Sequence, residues 1–177
     1  MHRLFVGIDP PPAIKEQLLG LMGGVAGARW QSEAQLHLTL HFVGEVDRHQ
    51  ANDVAAALES LHHPRFELAL SGAGAFDRRG HVNALWAGVA PHEPVHTLHK
   101  KVNQAVARAG LAPERRAYLP HITLARFGRE AGTLDGFVDR HGGLSSASFP
   151  VDDFCLYESQ LTRDGSVYTI IERYRLM

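Results

Sequence analysis

Cysteine is almost absent from the chain. Cys155 stands alone, so no intrachain disulfide can staple the fold, and its apolar neighbours Phe154 and Leu156 mark it as a buried, inert thiol in a reducing compartment. Long apolar runs are missing too. Leu4 to Ile8 is ended by Asp9-Pro10-Pro11-Pro12, too short for a secretory segment, and nothing approaches the roughly 18 apolar residues of a membrane span. A soluble, cytoplasmic protein is expected. Neither sign of charge dominates: 18 Lys+Arg against 19 Asp+Glu leave a formal net charge of −1, which excludes a protein that coats long nucleic acid by bulk electrostatics. Any contact with a polyanion must be local. Lysine is scarce, since only Lys15, Lys100 and Lys101 contribute to those 18 cations. Arginine is the better fork-shaped partner for a single phosphate, although genome base composition explains the bias more simply.

What is present fits one domain over residues 1–177, with 45% hydrophobic and 21% charged residues and a length sufficient for a single core. Leu4 to Ile8 reads as a buried strand, and the prolines after it open a helix carrying Ile14, Leu18, Leu21 and Met22 at helical spacing. Residues 35 to 43 alternate as a strand, and Asp47 then caps a helix with Val54, Leu58 and Leu61 on one face. Phe66 to Leu70 and Ala84 to Val89 are expected as strands joined by a loop from Gly72 to His81. Pro94 opens a third helix through Leu98, Val102 and Val106. A strand at about 119 to 125 and a weak helix over 133 to 140 follow. Val151 to Tyr157 and Val167 to Tyr174 then form an antiparallel pair around Thr162-Arg163-Asp164-Gly165.

One pattern occurs twice. His37-Leu38-Thr39-Leu40 and His121-Ile122-Thr123-Leu124 repeat His-x-Thr-x-like spacing 84 positions apart, where shuffling this composition yields ~0.05 copies of His-x-Thr-Leu. The spacing is too long for a solenoid and fits one unit duplicated into a two-lobed domain. In the first strand Leu36, Leu38, Leu40 and Phe42 are apolar while Gln35, His37, Thr39 and His41 are polar, so a period of two sends His37 and Thr39 to one face. Ile122 and Leu124 place His121 and Thr123 together in the same way. On this alternation Phe42 packs in the core, although its ring could instead stack on a terminal base.

Two imidazoles and two hydroxyls around one cavity suit phosphodiester chemistry. A neutral imidazole takes the proton of an attacking water while a protonated one supplies the departing oxygen, and a pKa near 6.5 lets both forms coexist. The threonines can donate to non-bridging oxygens. A strained cyclic phosphate needs no metal clamp. A metal held by His37 and His121 lacks the carboxylates or third imidazole expected beside them.

The two motifs resemble the paired signatures of the two-histidine (2H) phosphoesterases, and more narrowly of the bacterial RNA 2′,3′-cyclic phosphodiesterases, historically called 2′-5′ RNA ligases. Arg3-Leu4-Phe5-Val6-Gly7-Ile8-Asp9 is similar to the family's opening, Leu36 to Val46 to its first motif, Arg116 to Arg126 to its second, and Leu156 to Tyr168 to its ending. The chain departs from the pattern at His41, where Arg or Lys is common, and at Arg116-Ala117-Tyr118, where Arg-Pro-Phe is common. The resemblance implies a bilobal, pseudo-symmetric α+β fold, two antiparallel sheets backed by outer helices with a central groove. It implies cofactor-free and metal-independent opening of RNA 2′,3′-cyclic phosphate ends to 2′-phosphomonoesters, with weak reverse 2′-5′ ligation. His37 is then the acid, His121 the base, and Thr39, Thr123 and Arg126 bind substrate. For Arg126 to face the groove the strand must end or bulge near Ala125. The partners implied are RNA ends alone, with a monomeric protein and no membrane. Other readings are a non-catalytic binder of RNA or nucleotide ends, or a 2H enzyme for another cyclic phosphate or a 2′-5′ oligoadenylate.

Other signals are weaker. His92-Glu93-Pro94-Val95-His96 spells the zinc-protease motif, yet Pro94 belongs in a helix's first turn and leaves His92 outside it. Gly72-Ala73-Gly74-Ala75 lacks a P-loop lysine. Arg78 and Arg79 could guide an RNA backbone, or simply cap a solvated loop.

Overall fold

The computed structural model describes residues 1–128 and 135–177. The strands are β1 (His2–Ile8), β2 (Ala28–Trp30), β3 (Leu38–Val46), β4 (Phe66–Arg78), β5 (His81–Ala90), β6 (His121–Phe127), β7 (Phe149–Val151), β8 (Asp153–Thr162) and β9 (Gly165–Arg175). The helices are α1 (Pro12–Leu19), α2 (Arg48–Glu59), α3 (Glu93–Arg108) and α4 (Asp135–His141), and a 3-10 turn covers Glu33–Gln35. The start of the expected helix over 133 to 140 lies outside the described residues.

Local chemistry sets the helix starts. Pro12 opens α1, and Asp47 caps α2 by accepting from the Gln50 amide at 2.8 Å while the Gln50 side chain returns to the Asp47 amide at 3.0 Å. Pro94 sits in the first turn of α3, so His92 is left outside the helix. Ile14, Leu18, Val54, Leu58, Leu98, Val102 and Val106 join Leu4, Val6, Leu38 and Leu124 in one apolar cluster between helices and sheet. Among the described residues, no helix is long and apolar enough to cross a membrane.

The fold is α+β and antiparallel, but the two sheets expected from the resemblance are one nine-stranded sheet in the order β7-β4-β5-β6-β3-β1-β8-β9, with β2 added to β6. Its middle is narrow. β3 and β6 share a single partner pair, Leu38 opposite Ile122, and part on either side of it. On the sheet face away from the main core, Phe5, Cys155 and Tyr157 form a second cluster, and burial pushes the Cys155 thiol up to about 12.

The expected loop from Gly72 to His81 is instead the continuation of two strands. β4 and β5 run on to a two-residue turn at Arg79-Gly80, whose φ values of 55° and 80° are the left-handed pair that a tight hairpin requires. The small residues that masked the strand have a packing cause: a Cβ at Gly74 would lie 2.3 Å from the Trp86 ring. β2 and β7, at three residues each, carry too little pattern to be read from sequence.

Gly74→Ala is therefore expected to lower the unfolding free energy by about 1–3 kcal/mol through overpacking against Trp86. Urea denaturation checks this, and an unchanged midpoint would contradict the close contact.

Candidate active site

Each histidine motif is followed by the same irregularity. Along β3 the pairing with β1 steps from Thr39 opposite Gly7 to His41 opposite Val6, so Leu40 is an extra residue. Along β6 the pairing with β5 steps from Thr123 opposite Trp86 to Ala125 opposite Leu85, so Leu124 is extra. Each bulge reverses the alternation beyond it. Leu40 and His41 are both buried, and Phe42 emerges 46% exposed on the face of His37 and Thr39. Leu124 and Ala125 are both buried, and Arg126 emerges into the same groove. The break that Arg126 needs is thus present. The core position expected for Phe42 is wrong for the same reason, because strict alternation ends at Leu40. The signal was available: the offset of 84 that pairs His37 with His121 also pairs Phe42 with Arg126.

Extending the Leu38–Ile122 register by one residue sets His37 opposite Thr123 and Thr39 opposite His121. The four side chains line a cavity of about 1000 Å³ together with Phe42, Arg126 and Arg78. Arg79, at the hairpin tip, is outside it.

Both imidazoles are held in the same tautomer. His37 Nδ1 donates to the Gln35 carbonyl at 2.8 Å, and His121 Nδ1 donates to the Leu119 carbonyl at 2.7 Å, each two residues back. Each Nε2 is thereby freed for chemistry. The Thr39 hydroxyl lies 2.9 Å from His37 Nε2 and donates to it while the ring is neutral. Aromatic rings brace both. Phe5, Tyr168 and Tyr157 centre 4.7, 5.3 and 5.7 Å from His37, and Phe76 and Trp86 centre 4.8 and 6.3 Å from His121. At Gly7, opposite Thr39, any Cβ would stand 2.9 Å from the Leu38 carbonyl and 3.5 Å from the His37 ring.

Burial dominates the electrostatics. It lowers His37 to about 4, assisted by the charges of Arg126 and His121, and it lowers His121 in the same direction, again with Arg126. In the free protein both rings are neutral near pH 7. Among the described residues, no three His, Cys, Asp or Glu side chains are arranged to hold a metal ion.

Of the positions that depart from the family pattern, Tyr118 bonds to Thr39 and His41 lies two residues beyond it, whereas Arg116 is exposed and pairs with Glu114. Past Leu38 no strand among the described residues pairs with this side of β3, and side chains fill the gap. The Tyr118 hydroxyl donates to the Thr39 carbonyl at 2.7 Å, and His99 Nδ1 of α3 donates to the Leu40 carbonyl at 2.6 Å. The two rings stack at 4.0 Å. At the matching bulge of β6, the Leu124 carbonyl accepts instead from the backbone amide of Gln31 at 2.9 Å. His41 fills the buried side, only 3% exposed, with Nδ1 unpartnered and its pKa lowered by burial. The sequence marks Tyr118 only as a departure from the family pattern and His99 as a residue of a polar helix face; nothing there marks either side chain as a donor to a distant carbonyl, and His99 is buried.

Tyr118→Phe keeps the stack and leaves the Thr39 carbonyl without its donor. A loss of about 1–2 kcal/mol in unfolding free energy is expected from chemical denaturation. Wild-type stability would mean that the hydrogen bond does not hold the bulge.

Known proteins resemble this chain in sequence and fold. The chain is 31% identical to the RNA 2',3'-cyclic phosphodiesterase of Escherichia coli, covering 99% of this chain and 97% of that protein. It is 29% identical to the protein of the same name from Thermotoga maritima, over 96% and 92% of the two chains. The crystal structure of E. coli LigT complexed with 3'-AMP superposes with a TM-score of 0.82 at 30% identity, over 99% of this chain and 98% of that one. Residues 10–163 match the family model described as the 2'-5' RNA ligase superfamily, a span that contains both histidine motifs, and the chain belongs to that superfamily.

Proposed function

We propose that the protein is a metal-independent RNA 2′,3′-cyclic phosphodiesterase, which opens the cyclic phosphate at an RNA end to a 2′-phosphomonoester. The observation that carries this reading is the square of His37, Thr39, His121 and Thr123 across one seam of the sheet, with each Nδ1 tied to a backbone carbonyl and His37 Nε2 hydrogen-bonded to Thr39. The names of its relatives, and the 3'-AMP held by a similar structure, support the same substrate class.

In the reaction a water oxygen bonds to phosphorus and the bond from phosphorus to the 3′ oxygen breaks. His121 takes the water proton and His37 gives its own to the 3′ oxygen. Thr39, Thr123 and Arg126 bind the non-bridging oxygens, where charge accumulates in the transition state. Ring strain in the five-membered phosphate supplies the driving force that a metal gives to unstrained diesters. With a 5′-hydroxyl attacking in place of water, the same displacement forms the bond from phosphorus to the 5′ oxygen, breaks the bond to the 3′ oxygen and seals a 2′-5′ linkage, a weak side reaction. Phe42, at the position symmetric with Arg126, is 46% exposed in the groove, with Phe5 stacked at 6.1 Å and the Arg3 guanidinium 5.5 Å from its ring centre, and the terminal base can pack on the part of the ring that these leave open.

The acid must be charged, and His37 is held neutral in the empty groove. The phosphate anion offsets the charge of Arg126 and favours the imidazolium, so His37 gains its proton as the substrate binds. Once the ring is charged, Thr39 no longer donates to His37 Nε2; its proton turns to the phosphate, and the Nε2 proton is left for the 3′ oxygen.

His37→Ala and His121→Ala are each expected to lower turnover of a nucleoside 2′,3′-cyclic phosphate, assayed in EDTA with ³¹P NMR, by at least about a hundredfold. Sulfur in place of the 3′ oxygen leaves without a proton, so this substrate should restore His37→Ala selectively. Full activity in either variant would exclude the mechanism, and selective rescue of His121→Ala would exchange the two roles.

The pH dependence has a fixed sign. Both folded pKa values lie below 6.5, so the charged acid is lost as pH rises through them, and kcat/KM should be bell-shaped with its maximum below 6.5 and its acid limb near 4. The alkaline limb of kcat should lie at higher pH than that of kcat/KM, because bound phosphate favours the imidazolium. A maximum of kcat/KM above about pH 7.5 would contradict the burial of the pair.

A further inference from the structure

Beyond the histidines, the groove holds a second feature with no structural explanation of its own. Arg29 of β2 and Arg126 of β6 are direct cross-strand partners. Both are exposed and both line the cavity. Their neighbours on β2, Ala28 and Trp30, pack into the core, and Trp30 centres 5.7 Å from Phe137, which fixes the strand so that Arg29 faces the groove. Like charges placed opposite one another destabilise a strand pair. Neither guanidinium forms a salt bridge among the described residues, and no carboxylate there offsets the repulsion between the two. Two guanidiniums side by side, neither of them paired among the described residues, are a site for anionic oxygens.

The two are not equivalent. Arg126 lies one bulged step beyond Thr123 and is close enough to the imidazoles to lower the proton affinity of both, whereas Arg29 does not contribute to the shift of His121. Same-face neighbours on a strand are about 6.6 Å apart, and the next strand is a further ~4.8 Å to the side. Arg29 therefore stands one group outward from the atoms that hold the reacting phosphate.

We propose that Arg29 binds a second phosphate of the same substrate, the 5′ phosphate of the terminal nucleotide, which in an RNA strand is the first internucleotide linkage. This rests on the cyclic phosphodiesterase reading. It makes the protein selective for RNA ends over free cyclic mononucleotides, and it explains how a chain with a net charge of −1 engages a polyanion through a local pair of cations. Binding here forms no covalent bond and leaves the hydrolytic step unchanged.

The experiment compares a nucleoside 2′,3′-cyclic phosphate carrying a 5′ phosphate with the same molecule carrying a 5′ hydroxyl. In the wild type the 5′ phosphate is expected to raise kcat/KM about tenfold, the scale of one charged hydrogen-bonding contact, and to steepen the dependence on salt. Arg29→Gln should remove that preference, bringing the ratio of the two kcat/KM values close to one, whereas Arg126→Gln should depress both substrates together. An unchanged ratio in Arg29→Gln, an equal loss on both substrates in that variant, or a wild type indifferent to the 5′ phosphate would each overturn the proposal while leaving the hydrolase reading in place. A wild type that hydrolyses neither substrate would overturn the hydrolase reading itself.

Discussion

Leu38 paired with Ile122 is the contact on which the groove depends, because it alone joins β3 to β6. A longer ladder would lay the two motifs flat in one continuous sheet. The single pair lets the strands diverge, so that side chains one residue to either side converge on the same small volume. The bulges complete the device. Each places two consecutive apolar or buried residues against the helices and turns the next side chain outward, giving Phe42 on one strand and Arg126 on the other. Four polar groups and two larger contact residues are thus positioned by one register and one repeated irregularity.

The groove is also an electrostatic compromise. Aromatic rings press on both histidines and strip water from them, which favours the neutral form and keeps the site ready to accept a proton but short of one to give. Cations at the same place oppose a charged imidazole until an anion arrives. On the proposed mechanism substrate and proton are taken up together, and the free protein avoids holding an imidazolium beside Arg126. The two bulges are secured differently. β6 is held by backbone amides of the chain leading from β2, while β3 is held by the side chains of Tyr118 and His99. A side-chain clamp occupies the gap because the segment before β6 is not in strand conformation where it passes Thr39.

Much of this was legible in the sequence. The duplicated His-x-Thr spacing picked out four side chains that line one groove, the alternation around it set His37 with Thr39 and His121 with Thr123, and Asp47, Pro12 and Pro94 marked helix starts. What escaped detection has identifiable physical causes. A bulge leaves no composition of its own, so Phe42 read as core until the register with β1 was known. Gly72 to Ala75 read as a loop because small residues there make room for Trp86 rather than pack a core. One sheet read as two because a single hydrogen-bonded pair carries no sequence signal, and Arg29 escaped notice because its partner across the strand is about a hundred residues away.

The central claim, that two imidazoles from distant stretches act on one phosphate, is tested most directly by ¹⁵N NMR of the histidines titrated with a nucleoside 2′-monophosphate. The Nε2 resonances of His37 and His121 are expected to move together at one binding constant, with both pKa values raised in the complex. A response from only one of the two rings, or from neither at saturating ligand, would contradict the shared site.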